Sequence, residues 1–563
     1  MAGHRGLLSD VDVLVVGAGP TGLVTALQAH DHGASVRVVE RRPRAFRPSR
    51  AMVVHPRTLE ALRPLGVTEA LLDRTDGDPR AELHLGRRTL SVRLSDLGLP
   101  DSPFPHPALV RQADVEDVLA QALERRGVAV ERGTELVTHH ADEDGAQVRL
   151  RRDGPDEQAR CRFLVGCDGS TSTVRRGARV EFAGAGHAEE VVLADVDLAT
   201  TLTSDRLHVT VGRHGLAFLF PLGENGAPWR LLATRPARAG GEPPTRVEDD
   251  ELDRLVAGAG LPAVVTRCAW SSVVPLQHRV ASTFREGPVF LAGDAAHTSS
   301  PAAAQGMNTG LVDGLNLGWK LALAAGHDAA EPLLASYGDE RRPVARQVVA
   351  LTRLVLFAEA STSPVAELGR AHFATGLVPL LPHLLGRRRL SATVAAVLSQ
   401  RWVRYRHSVL SLDDTPYAAG PRPGDRLPDR EVLVDGRTRS LHELTARPGI
   451  HVLLDRDASA PSRTGQHVVL HRLDDAPGCG VVAVRPDGHV GYRSARGDLT
   501  GLDRWLDLVN GLDRTTTRTR SDARAVARTR APGTNDPPAR ASPRMDWTSR
   551  GHDGHRPGSS QRP

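Results

Sequence analysis

The sequence predicts an α/β protein whose parallel-sheet domain starts near the N-terminus, is interrupted by an antiparallel insertion, resumes, and is followed by a second α/β unit. Three observations carry that prediction. A strand–turn–helix–strand pattern opens the chain, its turn reading Gly17-Ala-Gly19-Pro20-Thr21-Gly22. Short alternating runs separated by glycine and proline fill residues 178–280. A buried-strand pattern, PVFLAGD, then returns at 288–294 ahead of a long helical stretch. A chain that leaves a parallel sheet and comes back to it carries an inserted domain.

The opening pattern is Rossmann-like. DVLVV is a β-branched strand, LVTALQAHDHG a helix closing on Gly33, and SVRVVE a second strand. Glycine at 17 permits the tight turn, at 19 lets the backbone approach a pyrophosphate, and at 22 lets helix and strand pack closely. The helix N-terminus offers N–H groups and a partial positive charge to phosphates. Glu40 ends the second strand, where a carboxylate can accept hydrogen bonds from a ribose diol. An acid there suits FAD or NAD rather than NADP.

Helical spacing recurs at 56–75 and 114–125, and CRFLVGCDG at 161–169 reads as a strand. In the insertion, VVLADVDL, RLHVTV, LAFLFPL and WRLLATRP predict an antiparallel sheet with one face packed and one facing a cavity. Helices dominate from Asn308 to about residue 405. Strands VLVD, IHVLLD and VVAVRPDGHVGYR then alternate with helices SLHELTA and LDRWLDLVN. The expected units are therefore 1–177 and 281–418 for the cofactor domain, 178–280 for a substrate sheet, 419–512 for the second α/β unit, and 513–563 for a disordered basic tail.

Charge and cysteine content exclude several classes. The chain carries a net +5, but residues 513–563 hold eleven arginines and five aspartates, a net of +6. The folded body is thus about −1, which argues against a nucleic-acid partner. The four cysteines form no CxxC pair, so no zinc ribbon, dithiol centre or other metal site is expected. No apolar run reaches the roughly 18 residues of a membrane span, and no leader pattern precedes Val11, so a cytoplasmic protein is expected.

Two further segments could touch a cofactor. Asp168-Gly169 with Arg175 ends a strand, where an Asx-turn is an equal alternative to cofactor contact. Asp294 ends the returning strand, where it could bond a ribityl hydroxyl. Pro301 to Met307 then form a small-residue loop ahead of a helix whose N-terminus would favour negative charge at a flavin ring; an ordinary capped helix is the alternative.

Taken together, GAGPTG with Glu40, RAMVVHPRTLEALRPLG, Val110-Arg111-Gln112, CDGSTSTVRR, HRVASTFREGPVFLAGDAAH and PxxxQGMNTG…DGLNLGWKLA resemble the class A flavoprotein aromatic hydroxylases, the family of p-hydroxybenzoate and phenol hydroxylases. The match covers about residues 10–512 and is closest to the branch acting on aromatic polyketides and bulky phenols. The resemblance implies FAD held by Gly17, Gly19, Pro20, Thr21, Gly22, Glu40, Arg41, Arg50, Gln112, Asp168 and Asp294. It places Pro301, Gly306, Met307 and Asn308 along the flavin ring. It also implies that NADPH or NADH binds transiently, that O2 reacts to give a flavin C4a-hydroperoxide, and that a small aromatic substrate is hydroxylated. Residues 419–512, including Arg485-Pro-Asp-Gly488, resemble the thioredoxin-like domain appended to phenol hydroxylases, expected here to pack or to form a homodimer. One departure is visible. The family has glycine at the second or third position after the proline, whereas here Pro301 is followed by Ala302, Ala303 and Ala304, and a methyl group at Ala303 narrows the space beside the ring.

Phe218, Phe220 and Trp229, with Pro301, are candidates to line the substrate cavity, as Phe218, Phe220 and Trp229 are for ordinary packing. No catalytic base stands out. His55, His208, His214, His278 and His297 could orient a phenol, and each also reads as a structural histidine. Alternatives are Baeyer–Villiger-type oxygen insertion, hydroxylation that inactivates an antibiotic, and a catalytically impaired flavin-binding protein.

Overall fold

A computed structural model describes residues 11–45, 52–75, 79–85, 88–97, 99, 101–212, 215–222, 227–237, 246–300, 304–325, 331–360, 388–415, 420–461, 465–476, 478–496 and 499–509. All the described residues belong to one compact unit. The expected tail at 513–563 lies outside the described residues.

The first sheet holds Val11–Val16 at its heart, parallel to Glu157–Gly166 on one side and to Val36–Glu40 on the other. Val289–Leu291 adds in parallel beside Glu157–Gly166, through Leu164 to Val289. The chain therefore does return to its first sheet after the insertion. The centre of the sheet is apolar because both its faces are covered, Val13, Leu14, Val15, Leu164 and Val165 being fully buried. The helix Pro20–Asp31 ends at His32, and Gly33 turns the chain at φ +94°.

The second sheet has eight strands in the order 297–298, 263–281, 182–200, 229–236, 215–221, 207–212, 80–85 and 88–93. It reaches beyond the expected 178–280 segment. The hairpin 80–93 joins it because Arg80–Leu85 pairs in parallel with Leu207–Gly212, through Glu82 to His208. Alternation divides the two faces. Val192, Ala194, Val196, Leu219, Trp229 and Leu231 pack under the helix Asp249–Gly258 with Leu252 and Val256. Val191, Leu193, Phe218, Leu232, Trp270 and Leu276 occupy the other face, where Phe220 meets Met52 and Leu109 of the first domain.

A third sheet runs 412–415, 490–494, 481–484, 450–455 and 468–473, closed by the helix Thr500–Val509. It begins at Leu412, earlier than the expected boundary, because Leu412 pairs with Tyr492. Glu431–Val434 stands apart in its own hairpin with Arg437–Ser440.

This unit is fastened to the helix Gln305–Ala325 by a buried ionic network. Arg485 places Nη1 on Glu340 Oε1 and Nη2 on Glu340 Oε2, both at 2.7 Å, and Nη2 also reaches Asp487 Oδ2 at 2.6 Å. Lys320 Nζ and Asn316 Nδ2 donate to Glu340 Oε2 at 2.8 and 2.7 Å. Burial pushes Lys320, the chain's one lysine, down to about 8, and pushes the adjoining His489 from 6.5 down to about 4. The histidine sets an acid limit. Its folded pKa lies below the unfolded one, so the unfolded chain binds the extra proton between the two values. Stability from His489 is intact above pH 6.5 and is lost as pH falls toward 4, by about 3 kcal/mol. Urea midpoints measured across that window should fall with acid, and should fall less in His489→Asn; an unchanged slope in the variant defeats this assignment.

Candidate active site

The glycine turn is built so that only glycine fits at two of its positions. Gly17 sits at φ +105°, and a Cβ there would lie 2.4 Å from the Cys167 carbonyl oxygen. A Cβ on Gly22 would lie 1.9 Å from the Gly17 carbonyl oxygen. At Gly19, by contrast, an added Cβ meets nothing within 4 Å, so the turn opens onto free space there. Pro20 begins the helix and no side chain caps it, leaving a helix N-terminus suited to an anion. Glu40 accepts the Ala18 N–H on Oε2 and the Arg42 N–H on Oε1, both at 2.9 Å, so it braces the turn. Arg41 is exposed beside it, and Gln112 donates to Glu116 Oε1 at 2.8 Å at the start of the helix Gln112–Arg125. Arg50 lies outside the described residues.

The returning segment meets this turn directly. Cβ atoms on Gly293 and Gly310 would fall 2.5 and 2.4 Å from Thr21 Oγ1. Gly314 and Gly318 extend the same stripe along Thr21, Thr25 and Gln28. Asp294 is exposed although Gly293 and Ala295 on either side are buried, and it directly follows the glycine that abuts Thr21. Gly306, Gly310, Gly314 and Gly318 recur every four residues in the sequence, the spacing of one helix face, and the last three make the close contact.

Asp168 has two roles to divide. Its Oδ2 accepts the N–H groups of Thr173 at 2.6 Å and Val174 at 3.2 Å, the turn geometry that was the alternative reading. Its Oδ1 is buried with no hydrogen-bond partner, as are Arg279 Nε, Thr298 Oγ1 and Ser299 Oγ. Arg175 donates to the carbonyls of Ala295 and Ser170 and stacks on Phe182 at 3.8 Å, tying the Asp168 turn to the Asp294 turn.

The helix Gln305–Ala325 begins three residues earlier than expected. Asn308 is fixed from both ends. Its Nδ2 donates to the carbonyls of Val53 and Ala304, and its Oδ1 accepts the His55 N–H at 2.8 Å. Its side chain thus positions the loop, a use of Asn308 different from ring contact. Gly306 again leaves open space beyond its Cα, and Met307 is half-buried against the core. Pro301 and Ala303 lie outside the described residues, but Ala304 stands at φ +51°, in the left-handed region that favours glycine. Ala304→Gly should therefore stabilise the protein by about 1 kcal/mol and hold FAD more tightly. Equilibrium dialysis of FAD against both proteins checks this; weaker retention in the variant would contradict it.

A buried acid anchors the returning turn from below. Asp313 Oδ2 accepts His297 Nε2 at 2.7 Å and the Gly293 N–H at 3.1 Å, and Oδ1 accepts Arg341 Nε at 2.7 Å. Although burial opposes ionisation, Arg341 and His297 hold the Asp313 carboxyl below its ordinary range. The remaining histidines are placed just as specifically. His278 Nε2 accepts the Ser300 N–H at 3.2 Å, ahead of the Pro301 loop. His208 is buried on the helix-covered face of the second sheet, and His214 lies outside the described residues.

The face of the sheet that carries the phenylalanines departs from expectation at one position. Phe218 and Phe220 stack at 5.8 Å on the face toward Met52 and Leu109. Trp229 does not join them. It pairs with Pro221, one residue out of phase with Phe220, and is 3 % exposed beneath Leu252 and Val256. Arg230, opposite Phe220, takes the phenylalanine side instead. It holds Asp195 through Nε and through Nη2 at 2.9 Å, lies over Trp270 at 5.4 Å, and keeps Nη1 buried without a partner. Period-2 counting along WRLLATRP would have found this arginine.

A glycine cradle with open space, an exposed Asp294 and buried polar atoms without hydrogen-bond partners on the Asp168 turn and at 298–299 fit a flavin dinucleotide, and these features point to a flavoprotein. When bound, FAD accepts hydride from NAD(P)H and activates O2. The comparisons agree. Residues 10–352 match the family described as FAD binding domain, and residues 420–511 match aromatic-ring hydroxylase, C-terminal. The 6-methylpretetramide 4-monooxygenase of Streptomyces rimosus is 32% identical over 96% of this chain and 98% of its own length. The structure of aklavinone-11 hydroxylase with FAD and aklavinone is similar with a TM-score of 0.72 at 27% identity, covering 91% of this chain and 100% of that one. The Diels-Alderase PyrE3 of pyrroindomycin biosynthesis is similar with a TM-score of 0.70 at 27% identity, covering 89% and 99%. The chain belongs to the FAD-dependent aromatic-ring hydroxylases and is a flavin monooxygenase. No helix among the described residues is long and apolar enough to cross a membrane.

Proposed function

We propose that this enzyme hydroxylates a polycyclic phenolic substrate of the aromatic polyketide class, using NAD(P)H and O2. One observation carries the reading most: the aromatic face of Phe218, Phe220 and Trp270 presents a buried guanidinium, Arg230, whose Nη1 lacks a partner. Flat aromatic walls suit a flat substrate, and a desolvated donor of that kind suits a carbonyl or phenolate oxygen. The names of the tetracycline-type and aklavinone-type relatives support the same class. In this reading Gly17 to Gly22, Glu40 and Asp294 hold FAD within a Rossmann-like domain. Residues 412–509 are read as a thioredoxin-like unit, where lone Cys479 leaves no dithiol chemistry.

The chain's own residues position and exclude rather than transfer protons. The sheet covers the site, Asn308 and His278 set the loop, and Arg230 orients the ring to be hydroxylated. The test is NADPH oxidation with labelled O2 over a panel of polycyclic phenols, products being read by mass. Incorporation of one labelled oxygen is expected, and Arg230→Lys should raise KM about tenfold while changing kcat less. Peroxide formed without any oxygenated product throughout the panel would overturn the reading. The likeness to a Diels-Alderase, with alanine at 304, favours a second reading in which flavin is held without redox turnover; yellow protein that fails to oxidise NADPH with every phenol would support it.

A further inference from the structure

On the sheet face away from the flavin, Glu82, His84 and His208 converge, and we propose that they bind a divalent transition-metal ion, with zinc the natural occupant. The three donor atoms form a compact triangle. His84 Nε2 lies 3.0 Å from His208 Nδ1, His208 Nδ1 lies 3.4 Å from Glu82 Oε2, and His84 Nε2 lies 3.9 Å from Glu82 Oε2. A triangle with those sides has a circumradius of about 2.0 Å, the length of a zinc–nitrogen or zinc–carboxylate bond. One ion would thus reach all three atoms without movement of the backbone.

Register explains the convergence. Glu82 and His84 are two apart on one strand and share a face, and His208 is the direct parallel partner of Glu82 on the neighbouring strand. The outer contacts prepare the ligands. His208 Nε2 lies 2.9 Å from the Thr203 carbonyl, which can only accept, so that nitrogen carries the proton and Nδ1 turns its lone pair inward. That lone pair takes the His84 Nε2–H at 3.0 Å and also lies 3.4 Å from Glu82 Oε2, so a cation that replaces this one proton would be shared by all three donor atoms. Arg206 donates to the other Glu82 oxygen at 2.8 Å and is itself paired with Asp205, so the surrounding charge remains negative by one.

The ion's role follows from its place. It would staple the edge hairpin 80–93 to strand 207–212, whose opposite face carries Leu207 and Val209 against Phe220 and Met52. It is a structural ion that fixes the substrate-side sheet, remote from redox chemistry. The experiment uses the FAD-loaded full chain without an affinity tag, stripped with chelator and dialysed. Metal analysis after zinc addition should give one ion per chain, and cobalt(II) titration should give the visible absorption of a low-symmetry nitrogen–oxygen site. Glu82→Gln and His84→Ala, at half-exposed positions that leave the His208 core intact, should each weaken cobalt binding at least tenfold and abolish the rise in melting temperature that zinc gives the parent. Absence of stoichiometric zinc or cobalt in the parent chain would overturn the proposal. Equal affinity in both variants would also overturn it, since the ion would then sit elsewhere, for instance on His552 and His555 of the tail.

Discussion

Gly314→Val is expected to give a protein that loses FAD on gel filtration and melts far below the parent. The reason lies in how two helices touch. A single added Cβ at Gly314 would stand 2.5 Å from Val24 Cγ1, 2.6 Å from Thr25 Oγ1 and 2.8 Å from the Thr21 carbonyl oxygen. One of those neighbours is backbone of the Pro20–Asp31 helix, which cannot rotate away. The helices must therefore separate, and separation also moves Gly293 and Asp294 off Thr21. Overpacking of this kind costs about 1–3 kcal/mol from side-chain strain alone, and the two branched methyls of valine push the cost higher. Ordinarily a glycine replaced inside a helix gains about 1 kcal/mol from helix propensity, so the sign itself is diagnostic. Gly306→Ala on the same helix provides the control, because a Cβ there meets nothing within 4 Å. Thermal melts followed by flavin fluorescence should show early flavin release in Gly314→Val and none in Gly306→Ala. Parent-like melting of Gly314→Val with flavin bound would show that close helix contact does not set the site.

The glycine stripe also shows which parts of this molecule were readable in its sequence. The turn at Gly17 to Gly22 and the return at 289–291 were legible because each is a local pattern, a short apolar run followed by small residues. The aromatic face was legible only by half. Phe218 and Phe220 fall on the expected side, while Trp229 belongs to the other, because a strand's phase must be counted from its partner and not from residue type. The hairpin at 80–93 was invisible as part of the second sheet, since parallel pairing across more than a hundred residues leaves no local signature. The same holds for Glu340, Arg341, Arg485 and Asp487, ordinary charged residues in sequence that become fully buried partners in space.

Those buried charges support the second large effect, in Glu340→Gln. Around this carboxylate the network balances, with Lys320 and Arg485 against Glu340 and Asp487. Although burial opposes ionisation, Arg485 and Lys320 hold the Glu340 carboxyl well below its ordinary range, and Arg485 and His489 do so for Asp487. Removing one acid leaves two buried cations facing one, and breaking a buried pair in this manner costs about 3–5 kcal/mol. Lys320, already lowered to about 8, would respond by shedding its proton, which limits the loss and makes the variant's stability rise from pH 7 to 9. Restoring balance should restore stability: Glu340→Gln with Lys320→Met should recover about half of the loss or more, a coupling that independent sites would not show. The network also bears on the flavin, because Asn316 and Lys320 lie on the helix whose first turn holds Gly306 to Asn308. A roll of that helix shifts Asn308 against Val53 and loosens the loop before it. Glu340→Gln is thus expected to bind FAD more weakly as well as to unfold at lower urea, with both defects reversed together in the double variant. Additive losses in the double variant would mean that Glu340 and Lys320 act separately, and that the C-terminal unit does not govern the flavin loop through them.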